Sequence, residues 1–366
     1  MVVTSDGLDG IVQALRAGGR TVIGPVVSDG VITHDEIVSI SELPAGWTEV
    51  QEGGSYRLDE TGTDELFAWA TPSTSWKMFL NPPRTLVVRA HKHTEGIEIE
   101  QPQPARPALA FFGIRSCDLA AIAVLDKVFL DPSATDPGYA ARREDVFIVA
   151  AACGNPGNTC FCASMDTGPS PRSGFDLAIT ELHDADHHEF LIEAGSLRGE
   201  ELLAGVSGRA PTEADHDRAR REVENAVTVM GRALSQDDVR QASALPEHPR
   251  WNDVAERCLA CGNCTMVCPT CFCSSTEDTT DLSGDIAERW RVWDSCFTID
   301  FTHLHGGSVR TSTASRYRQW LLHKLDTWHD QFDTSGCVGC GRCITWCPVG
   351  IDITAEVAAL AEGTPS

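Results

Sequence analysis

Two stretches of twelve residues decide the fold of the C-terminal part of the chain: CLACGNCTMVCP at residues 258–269 and CVGCGRCITWCP at residues 337–348. Both have the spacing C-x2-C-x2-C-x3-C-P. Two-residue gaps let three thiolates surround one iron–sulfur cubane, while the fourth cysteine reaches the other cluster in two-cluster ferredoxins. The spacing therefore predicts a ferredoxin-like module with two [4Fe–4S] clusters.

This pattern gives each cluster three cysteines from one motif and one from the other. The first predicted set is Cys258, Cys261, Cys264 and Cys347. The second predicted set is Cys337, Cys340, Cys343 and Cys268. Zinc is the alternative metal, but zinc sites usually combine two C-x2-C pairs across a longer loop. The motifs therefore favour iron–sulfur clusters.

The other cysteines of the chain lie outside the two motifs, at Cys117, Cys153, Cys160, Cys162, Cys271, Cys273 and Cys296. Cys117 and Cys153 each follow a predicted strand, where sites collect in α/β domains. The sequence TCFC occurs twice, at residues 159–162 and 270–273. A candidate ligand set for a third cluster is Cys117, Cys153, Cys160 and Cys162. The alternatives are mixed sets with Cys271, Cys273 or Cys296, and buried cysteines that bind no metal.

The hydrophobic pattern predicts an α+β protein. Buried strands are expected at residues 85–89, 108–114 and 145–152, with a helix at 118–129 between the last two, which indicates a βαβ unit. We predict a layered α/β domain over residues 1–245. A ferredoxin-like domain with two [4Fe–4S] clusters is predicted over residues 246–366, with a helical insertion between its motifs that includes a helix at 315–331. Tryptophans of the insertion are expected to exclude water from the clusters.

Charge and composition exclude some classes of function. The chain has 53 acidic against 29 basic residues, a formal net charge of −24. Nucleic acids and anionic membranes are both bound by basic surfaces, so neither is an expected partner. No apolar run is long enough to span a bilayer, and the N-terminus resembles no presequence. We expect a cytoplasmic protein, in which clustered cysteines bind metal rather than form disulfides.

Other catalytic patterns are missing from the sequence. There is neither a GxGxxG nor a P-loop motif, and no Ser–His–Asp order or pair of carboxylates stands out. Three close histidine pairs (91 and 93, 187 and 188, 303 and 305) lack matched spacing to other ligands, so we interpret them as surface or core residues. No catalytic residue is assigned.

Several segments occur in an order that resembles a known family: FGIRSCD at 112–118, CFC at 160–162, CPTCFC at 268–273, WDSC at 293–296 and CVGCGRC at 337–343. Together they resemble the beta (iron–sulfur) subunit of soluble group 3 [NiFe]-hydrogenases, or sulfhydrogenases. The iron–sulfur subunit of anaerobic sulfite reductase, a related 4Fe–4S dicluster protein, is similar. The resemblance spans roughly residues 84–356. Ser116 departs from the Arg-Pro-Cys-Asp sequence that is common in the family.

The resemblance implies an electron-transfer subunit within a larger complex. The implied partners are the small and large subunits of a [NiFe]-hydrogenase and a flavin subunit that binds NAD(P). On this interpretation the eight motif cysteines carry electrons between the small subunit and the flavin subunit, and the chain itself is not catalytic. The alternative is the same role in a sulfite or sulfur reductase. A redox sensor and a freestanding enzyme are weaker alternatives, since no DNA-binding element or substrate motif is visible.

Overall fold

The computed structural model describes residues 1–184 and 187–362, so the last four residues of the predicted 246–366 domain lie outside the described part. Helices and strands alternate in its first half, and helices prevail in its last third. The α-helices are, in chain order, α1 Ser5–Ala17, α2 Lys77–Leu80, α3 Ser116–Phe129, α4 Pro137–Arg143, α5 Leu197–Leu203, α6 Glu213–Thr228, α7 Gln236–Ser243, α8 Arg250–Arg257, α9 Asn263–Met266, α10 Thr313–Leu322, α11 Trp328–Phe332, α12 Arg342–Thr345 and α13 Ile353–Glu362.

The strands form one large sheet and three smaller ones. They are, in chain order, β1 Val2–Val3, β2 Thr21–Ser28, β3 Val31–Glu36, β4 Trp47–Glu52, β5 Ser55–Glu60, β6 Arg84–His93, β7 Gly96–Glu100, β8 Leu109–Arg115, β9 Phe147–Ala151, β10 Leu177–His183, β11 His188–Ala194, β12 Ser274–Thr280, β13 Ile286–Trp293, β14 His303–Leu304 and β15 Gly307–Ser308. The large sheet has the order β1-β11-β10-β9-β8-β2-β3. Its four inner strands β10, β9, β8 and β2 are parallel, and the outer pairs are antiparallel.

The inner strands are buried on both faces because helices cover each side. Alternate residues point to opposite faces of a strand, so Phe112 and Val149 join a core that includes Leu8 of α1. Phe111 and Ile148 join the other core, which includes Ile122 of α3. Strand β8 leads directly into α3, and this junction carries Cys117 at the sheet edge. The predicted strands at 108–114 and 145–152 lie in this sheet. The predicted helix at 118–129 packs on its face.

The predicted buried strand at residues 85–89 differs in its environment. It belongs to β6, which lies in a separate four-stranded sheet with the order β12-β13-β6-β7. Val87 is 45% exposed, and every residue of β7 is exposed. The apolar run suggested burial, but this sheet is covered only in part. Strands from both sides of residue 245 share it, so the division at that residue stays a prediction.

The last third of the described chain packs around the cysteine motifs. Helices α8, α10 and α13 contribute to one core, with Trp251, Trp320 and Leu360 among its buried members. The predicted helix at 315–331 is present without a break, but it changes from α-helix to π-helix and back along its length. It runs through α10, a π-helical turn at His323–Thr327, and α11. Among the described residues, no helix is long and apolar enough to cross a membrane.

Candidate iron–sulfur centres

The first cavity is bordered by both motifs. Its walls hold all four cysteines of the first predicted set, Cys258, Cys261, Cys264 and Cys347, together with Cys343. Phe297, Tyr317 and Trp320 close its inner side. The backbone N–H of Ala260 donates to the Cys258 sulfur at 3.4 Å, and the N–H of Ile351 donates to Cys347 at 3.3 Å. Such bonds favour the ionised form of a ligating thiolate.

The second cavity lies next to the first and is more enclosed. Its walls hold the four cysteines of the second predicted set, Cys268, Cys337, Cys340 and Cys343. Trp320 and Cys343 border both cavities. The N–H of Gly339 donates to the Cys337 sulfur at 3.5 Å. The structure thus brings each predicted set together around its own space.

The third cavity is formed at the C-terminal ends of β8 and β9. It is lined by the cysteines that the sequence suggested as a third set, Cys117, Cys153, Cys160 and Cys162. Cys117 stands in the first turn of α3, and Cys153 follows β9 by two residues. Cys160, Cys162 and Cys117 are buried. Parallel strands bring their ends to one edge of the sheet, which is why two distant cysteines meet here.

A close backbone contact joins the second and third cavities. Gly339 has φ +65°, and a Cβ at this position would lie 2.7 Å from the backbone nitrogen of Cys162. Only glycine fits both the torsion and the contact. The N–H of Phe161 donates to the carbonyl of Gly339 at 2.8 Å, and the Cys160 sulfur lies 3.7 Å from the carbonyl oxygen of Cys340. The loop with Cys160 and the second motif therefore pack directly on each other.

Burial keeps most of these thiols neutral in the absence of a cation. It raises the pKa of Cys337 and of Cys162 to about 12. It also raises the pKa of Cys117, Cys160 and Cys264. A bound metal ion deprotonates a coordinating thiol outright. Four thiols that face one dry cavity therefore need a cationic centre before they can ionise together.

The spacing of the sulfur atoms argues against single metal ions in these cavities. A tetrahedral zinc site with Zn–S bonds of about 2.3 Å brings its sulfur atoms within about 4 Å of one another. Among the described residues, the one group of three possible ligands whose atoms all lie within 4.8 Å contains no cysteine. In the described part of the chain, none of the cysteine sets is therefore arranged as a tetrahedral zinc site.

Two buried lysines, which the sequence did not single out, lie beside Cys268. Lys77 donates to the carbonyl oxygens of Cys268 and Cys271 at 3.0 and 3.1 Å, and its Nζ lies 3.8 Å from the Trp293 ring centre. Lys324 lines the second cavity and donates to Thr270 Oγ1 at 2.9 Å. Neither lysine has a carboxylate partner among the salt bridges of the described chain. A buried ammonium needs an anion nearby, and the thiolate of Cys268 supplies it.

Cys268 differs from the cavity cysteines whose pKa burial raises. A hydrogen bond with the Cys271 thiol and the ammonium of Lys324 hold the pKa of Cys268 well below its ordinary value. Burial alone would lower the pKa of Lys324, but the charges of Cys268, Cys271 and Cys337 raise it above its usual range. Lys324 therefore stays charged beside the second cavity.

A buried ion pair joins the third set to the second motif. Arg342 follows Cys340 by two residues, and Asp118 follows Cys117 directly. The guanidinium donates to both carboxylate oxygens of Asp118 at 2.8 Å, and its Nε donates to the carbonyl of Pro72 at 2.7 Å. Both side chains are almost fully buried. Arg342 and Asp118 are 224 residues apart in the sequence, so no local pattern reveals this pair.

The three remaining cysteines line none of the three cavities. Cys271 is hydrogen-bonded to Cys268, and Cys273 is hydrogen-bonded to Cys296 at the base of the β12–β13 hairpin. The tryptophans of the insertion divide into two groups. Trp320 borders the first two cavities, and Trp328 packs in a core with Cys117, Cys162 and Cys340. Trp290 and Trp293 lie on β13, away from the cavity walls.

The fold and the cysteine sets define an iron–sulfur protein, and comparison with known proteins agrees. Residues 257–351 match the family model described as a 4Fe-4S dicluster domain. The chain is 31% identical over 330 residues to "Sulfhydrogenase 2 subunit beta" of Pyrococcus furiosus. The aligned region covers 88% of this chain and 94% of the relative. The chain belongs to the sulfhydrogenase beta-subunit family. No solved structure matches the chain significantly.

Family membership confirms the resemblance inferred from the sequence and the prediction of an iron–sulfur subunit. The mixed α and β content and the position of the dicluster domain near the C-terminus also agree with the predicted fold class. The 4Fe-4S dicluster domain implies iron–sulfur clusters.

Proposed function

We propose that this chain is the electron-transfer subunit of a cytoplasmic, NAD(P)-linked [NiFe]-hydrogenase complex. It relays electrons between the hydrogenase small subunit and a flavin subunit that binds NAD(P). A [4Fe–4S] group held by four thiolates supplies one-electron transfer at each site. The observation that carries the proposal is the arrangement of three adjoining, cysteine-lined cavities. The first and second share Trp320 and Cys343 in their walls. The loop with Cys160 and Cys162, which line the third cavity, packs on the second motif.

The residues of this chain bind the groups, exclude water and separate them by short distances. The first group is held by Cys258, Cys261, Cys264 and Cys347, and the second by Cys337, Cys340, Cys343 and Cys268. Trp320 lies between the first two cavities. The contact of Gly339 with Cys162 lies between the second and the third. The three cavities therefore form a continuous series through the protein.

The first cavity is the end of the series that faces solvent. Cys261 is exposed, and the neighbouring side chains of Leu259 and Val349 are 64% and 39% exposed. A redox partner docked on this surface would approach the first group without displacing any buried element. We propose this surface as one terminal of the relay.

The third set, Cys117, Cys153, Cys160 and Cys162, is proposed to bind a third cluster. Anaerobically purified chain is then expected to contain about 12 iron and 12 sulfide, instead of the about 8 of a two-cluster protein. Cys160→Ala should lower the iron content to about 8, because the third set loses a ligand. The matched control, Cys273→Ala, lines no cavity and should keep the full content. An unchanged iron content in Cys160→Ala contradicts the third site.

Loss of one ligand of the second set should interrupt the relay and leave assembly intact. Cys340→Ser is expected to reduce H2-dependent NAD(P)+ reduction by at least tenfold, since the second group lies between the other two. Partner subunits should still co-purify, because Cys340 is buried and takes no part in an outer surface. H2-dependent reduction of an artificial dye by the hydrogenase subunits should persist. Full NAD(P)-linked turnover in a variant that has lost the second cluster would refute the relay.

The identity of the complex is tested by affinity purification of the tagged chain under anaerobic conditions from the organism that encodes it. Nickel in the purified complex and H2-dependent reduction of NAD+ or NADP+ are the expected results. A complex without nickel that contains sirohaem and reduces sulfite would instead assign the chain to a sulfite reductase. Iron content and cysteine variants are unaffected by that outcome.

A further inference from the structure

The end of the β10–β11 hairpin carries three side chains that converge away from all cysteines. His183 and His188 occupy directly paired positions on the two strands. Asp64, in the segment that follows β5, bridges them. Its Oδ1 lies 2.8 Å from His183 Nε2, and its Oδ2 lies 3.0 Å from His188 Nδ1. The three possible ligand atoms all lie within 4.8 Å of one another.

A second carboxylate orients His188. Glu181 Oε1 lies 2.7 Å from His188 Nε2, and the two oxygens of Glu181 also accept the N–H groups of Leu66 and Phe67 at 2.7 and 2.8 Å. Glu181 is therefore fixed and mostly buried. A metal-ligating histidine commonly donates its other ring N–H to such a carboxylate, which sets the tautomer and the ring orientation.

A cation would remove an unfavourable contact between two hydrogen-bond acceptors, His188 Nδ1 and the carboxylate of Asp64. If Nε2 of His188 donates to Glu181, Nδ1 of the neutral ring has a lone pair. That lone pair then points at the carboxylate of Asp64, which has only acceptors. The contact is favourable only if Nδ1 also carries a proton or if a metal ion lies between the two groups.

Further acidic groups surround the same point. Glu222 of α6 is half buried, and its pKa is raised by burial and by the nearby charges of Glu65 and Glu181. Asp64 is itself exposed, with 74% of its side chain accessible, so an ion can enter from solvent. The two imidazoles and the carboxylate of Asp64 thus offer N and O ligands at a place that is open to solvent.

We propose that Asp64, His183 and His188 bind one divalent transition-metal ion of the Zn²⁺ class. Zinc accepts His nitrogen at about 2.0–2.1 Å and carboxylate oxygen at about 2.0–2.2 Å, with water in the remaining position. The ion ties the segment after β5 to the large sheet. That segment continues to Ala70 and Thr71, which line the third cavity. The site thus braces one wall of the third cysteine set and is independent of the proposed partner complex.

The test uses the full chain with its iron content measured. Wild-type protein is equilibrated with ZnCl2, desalted and analysed for zinc, and the ligands are identified by zinc X-ray absorption. One zinc per chain with only N and O scatterers is expected. Asp64→Asn and His183→Ala should each lose at least tenfold in zinc affinity. Glu181→Gln should lose about 10- to 100-fold, as do losses of such supporting carboxylates elsewhere.

His93→Ala is the matched control, because His93 is an exposed histidine paired with the single carboxylate of Glu98 at 3.3 Å. Its zinc affinity and stoichiometry should equal those of the wild type. Asp64→Asn changes an exposed side chain, so folding and iron content should persist. Equal zinc retention by wild type and Asp64→Asn, or sulfur scatterers at about 2.3 Å, would overturn the site.

Discussion

Replacement of Arg342 by methionine is expected to destabilise the protein by about 3–5 kcal/mol, the usual cost of removing one partner from a buried ion pair. The variant leaves the carboxylate of Asp118 in a buried site with no counter-charge. It also removes the hydrogen bond to the Pro72 carbonyl. The measurement is the unfolding temperature under anaerobic conditions, compared with the wild type at equal iron content.

Two controls separate the lost charge from the lost volume. Arg289→Met breaks an ion pair with Asp278 in which both side chains are more than half exposed. It should cost at most about 1 kcal/mol, as is typical of surface pairs. The double variant Asp118→Leu/Arg342→Met removes both charges and should recover most of the stability. A double variant no more stable than Arg342→Met would mean that the pair acts through its shape instead of its charge.

The motif cysteines show how much of the site a local pattern can predict. Spacing within each motif fixes which sulfur atoms can face one space, and the exchange of the fourth cysteine follows from the same geometry. Both predicted sets line separate cavities for this reason. The third set was a hypothesis among alternatives, because it depends on where two strand ends meet. Its four cysteines share a cavity only because β8 and β9 are neighbours in the sheet.

Charged groups around the cavities could not be predicted in the same way. Lys77 and Lys324 are 247 positions apart in the sequence, and each stands in a segment with no cysteine nearby. Asp64 and His188 are likewise separated by 124 positions. The sequence interpretation of His188 as a surface or core residue rested on local spacing alone, which contains no signal for a partner so distant. Such pairs arise from tertiary packing.

The apolar strand at residues 85–89 shows that a strand can be predicted correctly while its burial is not. A short run of apolar residues is compatible with several environments. In the large sheet it would have been buried on both faces. Instead β6 pairs with β13 and β7 in a sheet that leaves Val87 exposed. Local composition indicated a strand correctly, but which sheet receives it depends on a partner strand from the insertion between the motifs.

The second large effect is expected at Lys324. Lys77, Lys92, Lys127 and Lys324 are the only lysines of the chain, and two of them are buried beside Cys268. Two unit charges about 4 Å apart interact by about 4 kcal/mol at an effective dielectric constant of about 20. Reduction adds negative charge to an iron–sulfur centre, so a fixed ammonium nearby favours the reduced state. Lys324 should therefore raise the reduction potential of the second centre.

Lys324→Met is expected to lower that potential by on the order of 100 mV, since about 59 mV corresponds to a tenfold change for one electron. The measurement is a redox titration followed by EPR on the anaerobic chain, which reports each cluster without any partner subunit. Methionine keeps most of the length of the side chain in a cavity wall that also contains Phe161 and Ile353. Iron content must equal that of the wild type for the comparison to hold.

Lys127→Met is the control for charge alone, because Lys127 is exposed and does not line the second cavity. Solvent screens a charge at that position. In Lys127→Met the reduction potential of the second centre should therefore stay within about 20 mV of the wild-type value. Lys77→Met tests the second buried ammonium and should shift the same signal in the same direction. If Lys324→Met kept the wild-type potential with its cluster intact, the lysine would serve only the hydrogen bond to Thr270. The expected negative shift should be confined to one of the EPR signals. That signal then belongs to the cluster bound by Cys268, which sequence spacing assigns to the second motif.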